Sequence, residues 1–288
     1  MQLLRLSVCA VLGGLFWLQT IGAPEGLEKE LPKSIDLRPD LDRFCLAPRQ
    51  QGSRPTCSVF TVVGAIEFAV AKRQGQTPRL SVEFLNWAAN KICGSNDDGA
   101  FFSDLWKGFE AYGVCAEKEM PYSPALNPNL SPPLAALADA RTRLSLGLRL
   151  HWIKEWDVTT GLTAGHHLAI KRTLADGWPV CAGLRWPKQE RWVDGVLQMC
   201  SPNAVRDGHS VLLIGYRDDA DQPGGGVFIF RNTAGTGQDG MMPYAYAQAY
   251  MNDAAWVDFE GRSARTFHSP AQPEPKSPNE YSPGSSAP

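Results

Sequence analysis

The chain has no excess of positive charge. Its 28 lysines and arginines stand against 30 aspartates and glutamates, for a formal net charge of −2. That leaves no basic surplus to neutralise nucleic-acid phosphates or to settle on anionic lipid, so nucleic acid is not an expected partner. The sequence also lacks an internal repeat, and beyond its first two dozen residues it has no apolar run long enough to span a bilayer. Histidine is scarce, with five in 288 residues. The one adjacent pair, His166 and His167, has no carboxylate or cysteine at ligand spacing, and no metal or organic cofactor is expected.

What is present is ordinary globular material, 43% hydrophobic and 20% charged, enough for one large domain or two small ones. The opening stretch, MQLLRLSVCAVLGGLFWLQTIGA, has one early arginine, a charge-free apolar run from 6 to 18, and small residues at Gly22 and Ala23. It reads as a secretory signal peptide over residues 1–23, with an uncleaved anchor as the alternative. Export would make the protein secreted or periplasmic, with no membrane attachment once the signal is cut. Of seven cysteines, Cys9 would leave with the signal, while Cys45, Cys57, Cys93, Cys115, Cys181 and Cys200 would enter an oxidising compartment where pairing is the default. If all of these pair, Cys57 is structural. If Cys57 is a working thiol, at most two bridges form and one cysteine is left over.

Along the chain, the prolines of LPKSIDLRPDL predict extended backbone. From Cys57 to Gln74, Val59, Val63, Ile66 and Val70 recur at helical spacing, and Gly75 is a stop signal. Further helices are expected at LSVEFLNWAANKI with Ser81 as cap, at FFSDLWKGFEAYG ending on Gly113, and at LAALADARTRL. LRLHWIKEW alternates like a strand, and HHLAIKRTLADG reads as a helix closed by Gly177, with the histidine pair preceding it. The apolar runs WPVCAGLRW, HSVLLIGYRD and GGVFIFRN are short, rich in strand formers and bounded by glycine or proline. Residues 261–288, rich in proline and serine, have too little apolar surface to fold and are expected to be disordered. A helical first half and a strand-rich second half give an α+β chain whose two lobes meet at a cleft.

The stretch RQQGSRPTCSVF places Cys57 at the start of an apolar helix. Thiolate is the nucleophilic form of cysteine, and the unpaired N–H groups at a helix N-terminus favour it, so the Cys57 pKa is expected to be lowered. A neighbouring imidazolium would lower it further and would later give its proton to a leaving amine. Of the histidines, His209 is suited to this, sitting after a turn at the start of an apolar strand, whereas His268 is in the tail and His151 has no such setting. Asn232, where a strand runs into a glycine-rich loop, is placed to orient that histidine. Gln51 is placed to donate to an oxyanion together with the Cys57 N–H. Singly, each has a blander reading: half of a disulfide, a turn asparagine, a loop glutamine.

Taken together, DLRPDLDRFCLAPRQQGSRPTCSVFTVVGAIE, GHSVLLIGYRDD and GGVFIFRNTAGTGQDGMMPYAYA resemble the papain family of cysteine peptidases, in particular its short bacterial-type members. The likeness covers roughly residues 31–260 and preserves motif order and the interval from Gln51 to Cys57. It implies a helical N-terminal lobe, a β-barrel-like C-terminal lobe and an active site between them. In it Cys57 is the nucleophile, His209 the acid and base, Asn232 the orienter and Gln51 the oxyanion donor. MMPYAYAQAYMNDAAWV resembles the closing strands, and AYGVCAEKEMPY the segment leaving the helical lobe. The implied function is a secreted peptidase acting on peptide or protein substrates through an acyl-thioester. The alternatives are a catalytically silent peptide-binding relative and a transpeptidase or amidase.

Three departures stand out. Arg54-Pro55-Thr56 replaces the run that carries a disulfide in many relatives, Ser58 replaces a common tryptophan, and Ala234 replaces a tryptophan that shields the asparagine–histidine hydrogen bond. Losing that shield is expected to weaken the bond by about 1 kcal/mol. No room is left for a long inhibitory pro-segment, so the enzyme is expected to be active once exported or to be restrained by a separate protein inhibitor or by substrate access. Gly99 and Ala100 read equally as a peptide-binding edge or as a plain turn.

Overall fold

The computed structural model describes residues 30–235 and 237–259. The expected signal peptide and the expected disordered tail lie outside the described residues. In chain order the elements are β1 (Ser34–Asp36), α1 (Arg38–Arg43), α2 (Cys57–Gln74), α3 (Val82–Cys93), α4 (Phe102–Tyr112), α5 (Leu134–Leu144), β2 (Leu148–Lys154), α6 (Ala164–Ala175), β3 (Val180–Pro187), β4 (Trp192–Val193), β5 (Val196–Leu197), β6 (Val205–Asp218), β7 (Gly226–Arg231), β8 (Asp239–Pro243), α7 (Tyr244–Tyr250) and β9 (Met251–Phe259). This is the α+β, two-lobed arrangement. Helices α1 to α5 fill the first half, and a nine-stranded, mostly antiparallel sheet in the order β2-β9-β3-β6-β7-β8-β5-β4, with β1 paired to β6, dominates the second. Among the described residues, no helix is long and apolar enough to cross a membrane.

Helix α2 is the shared wall. Its sequence runs Val-Phe-Thr-Val-Val-Gly-Ala-Ile-Glu-Phe-Ala-Val-Ala with almost no polar face, and Val59, Val62, Ile66 and Phe68 are wholly buried. A helix apolar on every side has to be covered on every side. It packs against α3 and α4 of its own lobe and against β3, β6 and β9 of the other. Its last turn closes on Gly75, which takes the left-handed conformation and donates its N–H to Ala71 O at 2.7 Å. Helix α3 starts as expected: the Ser81 hydroxyl oxygen accepts the Phe84 N–H at 2.9 Å while its own O–H donates to Met120 O at 2.5 Å. At the end of α4, Gly113 has φ +77, and a Cβ there would lie 2.1 Å from Ala140 O, so α5 crosses directly over it.

Three local expectations are corrected. The stretch LPKSIDLRPDL is extended only over β1. It then turns into α1, because Pro39 falls in the first turn of a helix, where its missing N–H has no partner to lose. The segment after β8 is not all strand: Pro243 ends the strand, and α7 follows, burying Tyr244, Tyr246, Ala247 and Tyr250 before β9 begins. The histidine pair lies inside α6 rather than ahead of it. His166 Nδ1 accepts the Thr163 N–H and Thr163 Oγ1 accepts the His166 N–H, a reciprocal cap, while His167 packs edge-on to Tyr244.

The pairing default for an oxidising compartment is not realised: Cys45, Cys57, Cys93, Cys115, Cys181 and Cys200 are all free. The loop before α2 is fastened by charge instead. Arg54, 4% exposed, donates to Glu83 at 2.5 Å, to Asp98 at 2.6 Å and to Ser123 O at 2.8 Å, with its guanidinium 4.7 Å from the Tyr122 ring centroid. Burial works to lower its pKa, and the hydrogen bonds to Asp98 and Glu83 overcome this, holding the guanidinium charged.

Two outcomes are expected. Arg54→Ala strands two buried carboxylates and should remove about 3–5 kcal/mol of stability in urea denaturation, whereas adding dithiothreitol to the parent protein should leave its denaturation midpoint unchanged. Ser81→Ala, which removes a helix cap, should remove about 1 kcal/mol by the same measurement.

Candidate active site

A cleft of about 480 Å³ opens over the start of α2. Its lining includes Cys57 and Ser58 from α2, Gly99 to Phe102 from the loop into α4, Gly183 and Leu184 from β3, Gly208 to Ser210 from β6, and Asn252 and Asp253 from β9. Cys57 and His209 therefore share one cavity although 152 residues separate them. The approach follows from the packing of α2 against β6 and from the register of β6 on β3, in which His209 lies opposite Leu184.

The orientation of His209 follows from its neighbours. Asn232 Oδ1 accepts the N–H groups of Thr233 at 2.9 Å and Ala234 at 3.2 Å, both donors of fixed identity. The amide oxygen must therefore face the loop. His209 Nε2, 3.0 Å from the same oxygen, has to be the donor, so the neutral ring carries its proton on Nε2 and leaves Nδ1 with a lone pair. Both residues are 9% exposed.

Gln51 is tied into the same corner. Its backbone N–H donates to Thr233 O, its Oε1 accepts the Thr233 hydroxyl at 2.8 Å, and its Nε2 donates one hydrogen to Arg54 O at 2.8 Å. Among the described residues, no acceptor takes the second Nε2 hydrogen. Tyr122 steadies the turn by donating its O–H to Gln51 O at 2.8 Å. Cys57 and His209 line the cleft, and Gln51 and Asn232 adjoin them without being part of its lining.

The electrostatics correct one expectation. Burial pushes the Cys57 thiol up, and the N–H groups of Ser210, Ser58 and Cys57 itself only partly offset it. The helix N-terminus does what was expected of it, but removal from water is larger. Burial also lowers the His209 pKa, against the hydrogen bond to Asn232. Each group alone resists ionisation, and the arrangement suits a charge pair made by moving one proton between them.

Several contributors were not legible beforehand. Ser210 supplies donors to the Cys57 sulfur; its position directly after His209 was the only signal. Ser58, noted above as a departure, accepts the Ala100 N–H on Oγ at 3.2 Å and holds the cleft loop to α2. Gly99 is obligatory at φ +78, since a Cβ there would lie 2.6 Å from Pro55 O. Trp186 meets the His209 ring edge-on, centroids 4.5 Å apart. Among the described residues, no three His, Cys, Asp or Glu side chains converge as metal ligands.

With this geometry in hand, comparison with known proteins is direct. The pattern of the papain family cysteine proteases matches residues 31–254. Xylellain, a cysteine protease from Xylella fastidiosa, is similar at 25% identity and a TM-score of 0.62, over 80% of this chain and 87% of its own. A digestive procathepsin L 3 from the larval midgut of Tenebrio molitor shares the fold at 19% identity and a TM-score of 0.61, over 81% and 71%. A clostridial cysteine protease after propeptide cleavage shares it at 18% and 0.58, over 78% and 58%. The chain belongs to the papain family of cysteine proteases, hydrolases that act on peptide or protein substrates.

Proposed function

We propose that the protein is an exported cysteine peptidase that cleaves peptide bonds through an acyl-thioester on Cys57. The observation that carries this reading is the triply engaged Asn232 oxygen, because it leaves Nδ1 of His209 unprotonated on a residue that lines the same cleft as Cys57. The Cys57 proton passes to Nδ1, and the charges form as a pair, so neither is buried alone. The sulfur attacks the carbonyl carbon. The oxyanion is met by the Cys57 N–H, which as the first residue of α2 has no intrahelical acceptor, and by the second Gln51 Nε2 hydrogen. Imidazolium protonates the departing amine as the C–N bond breaks. Water, deprotonated by the same nitrogen, then attacks the thioester, releasing the acid and restoring the thiol. Gly99 and Ala100 edge the cleft where a substrate backbone would lie. Export to a secreted or periplasmic location rests on the signal-like residues 1–23, and restraint by a separate protein inhibitor belongs to the same reading.

Limiting iodoacetamide at about pH 5.5, where an ordinary thiol is protonated, should label Cys57 faster than every other cysteine. In His209→Ala, with burial still outweighing the N–H groups around the sulfur, labelling should require a pH above the ordinary value of 9.0. Slow labelling of the parent protein would overturn the reading. The cleft lining also holds four aspartates and neither lysine nor arginine; Asp98 and Asp104 are paired with Arg54 and Lys107 from outside the lining, which leaves Asp97 and Asp253 to set its charge. Peptides carrying lysine or arginine should therefore show kcat/KM about tenfold above matched glutamate peptides at low salt, a gap that narrows as salt rises.

A further inference from the structure

Ala234 is too small to cover the hydrogen bond between His209 and Asn232, yet both residues are 9% exposed. Something else keeps water away. From β3, Trp186 presents its indole to the His209 ring with centroids 4.5 Å apart and planes at 61°. It is 2% exposed, backed by Phe230 and Tyr246 at 5.9 and 6.3 Å between centroids. The register explains its reach. Leu184 pairs with His209, but Trp186 pairs with Arg206, so β6 carries an extra residue here, and a bulge of this kind re-aims nearby side chains.

The indole is not free to turn. Its N–H donates to Glu190 Oε1 at 2.8 Å, and Glu190 Oε2 accepts the Trp192 indole N–H at 3.0 Å. One carboxylate thus spans two tryptophans, one against His209 and the other on the exposed strand β4. We propose that Trp186, held by Glu190, is a positioning residue for His209, fixing the ring and excluding water from its bond to Asn232 in place of a bulky residue at 234. The proposal rests on the reading of His209 as the catalytic base.

The charges facing His209 agree with this arrangement. Burial disfavours the imidazolium most, the Asn232 hydrogen bond and Glu190 favour it, Arg206 opposes it, and Cys57 faces it from α2. Removing the Glu190 charge should therefore let the imidazolium lose its proton at lower pH.

The test uses Trp186→Ala, Trp186→Phe and Glu190→Gln in the full chain. Protein labelled with ¹⁵N-histidine would be followed by proton NMR, the His209 Nε2–H signal being assigned by its loss in Asn232→Ala. The parent and Trp186→Phe should show a slowly exchanging proton, and Trp186→Ala a signal broadened by exchange with water. In peptide hydrolysis, Trp186→Ala should lose about five- to tenfold in kcat with KM little changed, as expected for a hydrogen bond opened to water, and Trp186→Phe should recover most of it. In Glu190→Gln the alkaline limb of Cys57 alkylation should move to lower pH. If Trp186→Ala keeps a slowly exchanging proton and parental kcat, the proposal fails. Should that variant not fold, an unmoved alkaline limb in Glu190→Gln overturns it. Failure of the parent protein to label at Cys57 near pH 5.5 would instead sink the catalytic reading itself.

Discussion

One guanidinium between two carboxylates decides where Cys57 stands. Arg54 lies three residues before Cys57, and its partners Glu83, Asp98 and Ser123 come from α3, from the loop that edges the cleft and from the chain beyond α4. Arg54 joins all three segments at once, and Ser123 N–H to Glu83 and Asn86 to Asp98 add bonds between them. Fixing Arg54 fixes the turn from Gln51 to Thr56, including the Arg54 carbonyl that orients the Gln51 amide. The same ion group sets the Gly99 loop against Pro55 and Ser58. Taken from water, the charges gain little net stability from one another, but none of them can leave without stranding the rest. Their effect is to make one geometry the only tolerable one.

The opposite corner of the site works by direction rather than charge. Two backbone N–H groups turn the Asn232 amide, the amide selects the tautomer of His209, and the tautomer leaves the lone pair on Nδ1. Burial on both sides disfavours any separated charge.

Much of this was visible in the sequence wherever the determinant was local. Ser81 before Val82, Gly75 after Gln74 and Gly113 after Tyr112 mark helix ends because capping involves only the residues of one turn. Cys57 at the first position of α2 and Asn232 directly after β7 are likewise placed by their own neighbours, whereas Gln51 lies in the loop before α2 and His209 lies inside β6, which starts at Val205 rather than at the histidine. Helix α7 was missed because its buried tyrosines favour strands in isolation and are helical here only through packing. Proline misled at α1, where its position within the turn mattered more than its presence. Arg54 and Trp186 were out of reach. The partners of Arg54 are 29, 44 and 69 residues distant, and the aim of Trp186 depends on a register shift between two strands.

The absence of any disulfide among the described cysteines has a consequence for the life of the chain. Nothing in this fold waits for an oxidant or for slow disulfide exchange. The ion group at Arg54 closes as readily in a reducing compartment as in an oxidising one, so a newly made chain is able to reach its working shape where it is synthesised.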